Sequence, residues 1–193
     1  MMNKISHIKI TKRLSTNLSA AGKFWLLLGS IMPDLLVHTY YVGHTWDATI
    51  EKTCKKLYNL EQWGAMNWRS YLKLGYALHY IEDYFTYPHN NIYDGTLAQH
   101  CVYEVDFCSY IRALDDNLPE NDIDITSAKK LCDWIEKTHN EYLNSDVHGF
   151  SSDYNYITKV SQVVADTMLN AFETNEGRRI DTLSALPVVV QRL

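Results

Sequence analysis

The stretch HYIEDYFTYPHN, residues 79–90, sets His79 and Asp83 four positions apart and follows them, past Pro88, with His89. Residues four apart on a helix share a face, so His79 and Asp83 can close on one cation without bending the backbone. Ten residues on, HCVYE repeats the device with His100 and Glu104. Imidazole and carboxylate are the usual protein ligands of a zinc ion held for catalysis, whereas structural zinc favours thiolate. Two such pairs with a third histidine between them are best read as a metal centre. Without a cation, a buried collection of acids and imidazoles carries a desolvation penalty of several kcal/mol.

Helical periodicity extends outward from this stretch in both directions. Apolar residues recur at helical spacing over 19–31, 46–60, 67–85, 94–114, 125–143 and 151–172, with no convincing strand. Pro33 is expected to end the first of these, leaving Asp34 in a loop that runs to Thr45. In 94–114 the apolar stripe is Leu97, Val102, Val105, Cys108 and Ile111. Thr126 is the expected N-cap of 125–143. LPENDID, just before that helix, reads as a polar linker. The fold class is all-α, a single-domain helical bundle over residues 1–193.

A net charge of -5 with no basic tract excludes a dedicated nucleic-acid surface working by phosphate neutralisation. Phe24 to Leu28 is the longest apolar run and far too short for a transmembrane segment. The N-terminal MMNKISHIKITKRLS has no apolar core of an export signal, so the expected setting is cytoplasmic. Cys54, Cys101, Cys108 and Cys132 have no CxxC spacing and read as reduced thiols engaged in packing. His139 and His148 lack a carboxylate at ligand spacing and read as surface residues.

SHIKI (His7), GSIMPDL (Asp34), GHTW (His44), HYIEDYFTYPHN and HCVYE, in this order, resemble the zinc-dependent phospholipase C family. That resemblance implies an all-α fold of the phospholipase C / P1 nuclease type with a di- or tri-zinc cleft. By motif, one ion would take His89, His100 and Glu104. A second would take Asp34, His44, His79 and Asp83. Asp83 would bridge to a third, completed by His7 and the N-terminal amine and carbonyl. HTYYVGHT offers His38 as a rival to His44, with His44 preferred.

The chemistry implied is hydrolysis of a phosphate ester, with a small-molecule or lipid substrate and Asp34 as the catalytic residue that orients or deprotonates water. Glu82, Tyr80, Tyr87 and Asn90 flank the ligands and are candidates to hold imidazole N–H groups or to contact substrate. Tyr40, Tyr41, Trp46 and Tyr93 would supply an aromatic wall, with Phe85 read as core. Alternatives on the same scaffold are single-strand nuclease activity, and amide hydrolysis or metabolite tailoring. The ligand set also suits iron or manganese.

Overall fold

The computed structural model describes residues 3–35, 45–114, 118 and 122–184. Seven α-helices occur among the described residues: α1 (Lys4–Leu14), α2 (Ala20–Leu35), α3 (Trp46–Trp63), α4 (Trp68–Tyr84), α5 (Leu97–Ala113), α6 (Ala128–Leu143) and α7 (Phe150–Ser184). A short 3-10 turn, Tyr87–His89, joins α4 to the segment before α5. There is no strand among these residues, and no described helix is long and apolar enough to cross a membrane.

α4 is the axis of the bundle. Asn67 caps it, its side chain accepting from the amides of Arg69 and Ser70 at 3.0 and 3.1 Å. From Ala77 to Tyr84 every residue is buried, so this half of the helix meets protein on all sides. α2 makes the most extensive pairing with it, and α1, α3 and α7 cover the rest. The core joins Leu74, Leu78 and Ile81 of α4 to Ile157, Val160, Val164 and Met168, the 3.6-period stripe of α7. Burying such side chains contributes about 1.5–3 kcal/mol each.

The α2–α4 crossing is unusually close because glycine lies on both sides. A Cβ built on Gly75 would stand 2.1 Å from the Leu26 carbonyl oxygen, and one on Gly29 would stand 2.2 Å from that of Leu72. Backbone rests on backbone there, and the next turn of each helix carries the residues of the candidate site.

Several sequence expectations are corrected. α2 does not stop before Pro33 but continues through it to Leu35. Near a helix end the proline forfeits a single backbone bond, and packing along α4 outweighs that loss. Asp34 is therefore helical and buried rather than in a loop. The cap of α6 is Ser127, which accepts from Lys130 N, and not Thr126. The stripe assigned to α5 is only half buried. Cys108 and Ile111 are covered, but Leu97, Val102 and Val105 face solvent, because α5 meets α1 and α7 mainly through its later turns. Cys101 is exposed as well. α7 runs on past 172 to Ser184.

Candidate metal centre

Helical geometry first brings the two local pairs together. His79 Nε2 lies 3.4 Å from Asp83 Oδ2, and His100 Nε2 lies 2.8 Å from Glu104 Oε1. The Tyr87–His89 turn then inserts His89 between the pairs. Its Nδ1 is 3.8 Å from Asp83 Oδ2 and its Nε2 is 3.3 Å from Glu104 Oε1. α1 contributes His7, whose ring stacks on His79 with centroids 4.0 Å apart. His7 Nε2 is 3.5 Å from Asp83 Oδ1, and Asp34 Oδ1 from the end of α2 is 3.5 Å from His79 Nε2.

Two compact donor groups result, His7, His79 and Asp83, and His89, His100 and Glu104, each with ligand atoms within 4.8 Å of one another. Asp83 joins them: one carboxylate oxygen faces His7, the other faces His79 and His89. His38 and His44 lie outside the described residues, as do Tyr40, Tyr41 and the N-terminal amine.

The surroundings orient the imidazoles. His79 Nδ1 is 2.8 Å from the Ser30 carbonyl oxygen, which can only accept, so Nδ1 carries the proton and Nε2 faces the carboxylates. His7 Nδ1 meets Glu82 Oε2 at 2.5 Å, which turns His7 Nε2 toward Asp83. Thr11 also donates to Glu82, at 3.4 Å. Carboxylates and carbonyls behind histidines in this way fix the tautomer that a metal needs.

His7, Glu82 and Asp83 are fully buried, whereas His100 and Glu104 are partly exposed. Burial works to lower the His7 pKa, but the adjacent carboxylates of Asp83 and Glu82 outweigh it and raise it to about 10. Burial pushes Glu82 up to about 7 against the pull of His7. Burial lowers His89 below the ordinary histidine value, favouring the neutral ring that binds metal. For Glu104, hydrogen bonds from His100 and His89 overcome burial and hold the carboxyl down at about 2.

These residues fit a divalent ion. His7 Nε2 is buried with no hydrogen-bond partner among the described residues. Four of the imidazole–carboxylate separations fall between 3.3 and 3.5 Å, too long for good hydrogen bonds. Two atoms held about 2.1 Å from one tetrahedrally ligated ion stand roughly 3.4 Å apart. The donors are imidazole and carboxylate with no thiolate, the set expected of a catalytic rather than a structural zinc site.

Residues 6–147 match the zinc dependent phospholipase C family, a span that holds every donor named above. The chain belongs to the zinc-dependent phospholipase C family. It is thus a zinc-dependent hydrolase of all-α fold. No curated protein and no solved structure matches the chain.

Around this candidate centre, sequence reasoning missed two residues. His139 is buried, not superficial, stacked on Trp46 with centroids 3.9 Å apart and 2.8 Å from Asn90 Oδ1. Burial lowers its pKa to about 4, so it stays neutral. The signal was available, since His139 shares a face with Ile135 and Tyr142, both buried. His148, also read as superficial, is half-buried and stacks on Tyr87. Asn90 serves His139 and the carbonyls of Tyr84 and Thr86 rather than a candidate ligand.

The second is Asp153 of α7, beyond the family match. It accepts from Tyr87 N, Tyr103 Oη and Tyr142 Oη, each at 2.8 Å. It therefore ties the His89 turn to the helix that carries Glu104. Nothing local in the sequence marks it. Phe85 is core, packed against His139, Tyr142 and Tyr156. Beside His89 a cavity of about 320 Å³ opens, lined by Trp46, Asn90, His139 and Leu143 among others.

Proposed function

We propose that the chain hydrolyses a phosphodiester, phospholipase C-like, at a di- or tri-zinc centre. His89, His100 and Glu104 hold one ion. Asp34, His44, His79 and Asp83 hold a second. His7 and Asp83 hold a third. The observation that carries this is Asp83, a fully buried carboxylate whose two oxygens address imidazoles from three separate segments.

Bound zinc would supply Lewis acidity, polarising the phosphoryl group and lowering the pKa of water. The chain's own residues do the rest. The Ser30 carbonyl and Glu82 keep His79 and His7 in the tautomers that present Nε2. Asp34 reaches the cluster from the end of α2, where its carboxylate would orient the attacking water, or would accept its proton and pass it to the alcohol that leaves as the P–O bond breaks. The cavity beside His89 has room for the alcohol portion of a small diester.

The test is zinc content of protein purified without chelator, paired with product analysis on phosphatidylcholine and on a single-stranded oligonucleotide. Two or more zinc ions per chain with release of phosphocholine support the proposal. Cleavage of the oligonucleotide alone would move the substrate to nucleic acid. Less than one ion per chain, with no activity restored by added zinc, would refute it.

A further inference from the structure

The other end of α4 carries a surface of a different kind. α3 and α4 form a hairpin, and the groove between them, a cavity of about 290 Å³, is lined by Lys52, Lys55, Lys56, Lys73, Ser70 and Trp63 among others, with no carboxylate. In a chain with 23 acidic against 18 basic residues, four lysines around one groove is a local reversal of charge. None of the four is ion-paired among the described residues. Lys55 is one turn from Glu51 without bridging to it, and Lys56 sits instead over the Tyr76 ring, 3.5 Å from its centroid. Burial, and to a lesser degree the neighbouring Lys73, pull Lys56 down to about 8. At the hairpin tip Trp63 is 80% exposed, and Met66 and Trp68 are exposed beside it.

We propose that this hairpin docks the protein on an anionic lipid surface, the lysines meeting headgroup phosphates and Trp63 entering the interface. A lysine groove alone would suit any polyanion. The exposed indoles and methionine at its end decide for a bilayer, because indole rings settle at the level of lipid headgroups. Anionic lipid attracts each lysine near the surface and releases it as salt rises. The groove does not include the histidine cluster: its nearest lining residue on α4, Lys73, is exposed and about 9 Å along the helix from His79. Docking therefore stands apart from the metal chemistry and can be tested separately.

The experiment is co-sedimentation of the zinc-loaded full chain with vesicles of phosphatidylcholine, with and without phosphatidylglycerol. Wild type is expected to sediment far more with the mixed vesicles at low salt than with phosphatidylcholine alone. Lys55→Glu with Lys73→Glu should weaken that binding on the order of tenfold or more. Trp63→Ser should weaken it several-fold. All these positions are exposed, so the variants should fold and should hydrolyse a soluble phosphodiester as wild type does. Equal sedimentation with both vesicle types, or undiminished binding by the charge-reversed pair, overturns the proposal. So does an oligonucleotide that binds the groove while anionic vesicles do not.

Discussion

Gly75→Ala should loosen the candidate site from a distance. The added methyl would lie 2.1 Å from the Leu26 carbonyl oxygen, 2.8 Å from Ser30 N and 3.0 Å from the Gly29 Cα. Those are backbone atoms, so no rotamer change relieves the clash and α2 must move off α4 by roughly 1 Å. Overpacking of this kind costs about 1–3 kcal/mol. The Ser30 carbonyl moves with α2, and losing its bond to His79 Nδ1 removes about 1 kcal/mol more. Alanine regains about 1 kcal/mol through helix propensity, for a net loss of about 1–3 kcal/mol. The sharper effect is on metal. Without the carbonyl that fixes its tautomer, His79 should hold zinc on the order of 10- to 100-fold more weakly. Urea unfolding and chelator competition read the two quantities. Gly177→Ala is the control: a Cβ there meets nothing within 4 Å, and it should be neutral or slightly stabilising. Were Gly75→Ala as stable as wild type with unchanged zinc affinity, the claim that close backbone contact positions the site would be wrong.

Asp34→Asn should retain most of the zinc while turnover drops sharply, because the amide keeps an oxygen ligand but is no base; metal content beside kcat checks this, and unchanged turnover dismisses the role. Asp83→Asn removes the charge both donor groups share and should lower zinc content by at least one ion per chain with the helical circular dichroism retained. Asp153→Ala strands one amide and two phenolic donors, lowering unfolding free energy by about 3 kcal/mol. That loss should depend on pH. Burial raises the Asp153 pKa from its ordinary value to about 6, so its stabilising contribution is complete below about pH 4 and lost as pH rises through about 6. In metal-free protein the gap between wild type and Asp153→Ala should therefore narrow from pH 4 to pH 7, by on the order of 2 kcal/mol. A gap that widens contradicts the sign.

The legible part of the site was the part encoded within single helices. The i, i+4 rule alone places His79 by Asp83 and His100 by Glu104, at 3.4 and 2.8 Å. Glu82 was legible as a flanking acid, but its partner His7, 75 positions away, was not legible from spacing. The misjudged elements share one cause. The half-exposed stripe of α5, the buried His139 and the continuation of α2 through Pro33 all depend on which neighbour covers a face.

From its residue order this chain determines its helical class, the kinds of donor it offers and the two local pairs, because backbone geometry within a helix needs no partner. Tertiary packing alone decided that His7 stacks on His79, that Asp34 is carried into the cluster, and that Asp153 ties the His89 turn to α5. Those contacts depend on the distance and rotation between helices, and here the α2–α4 distance is set where Gly29 meets Gly75.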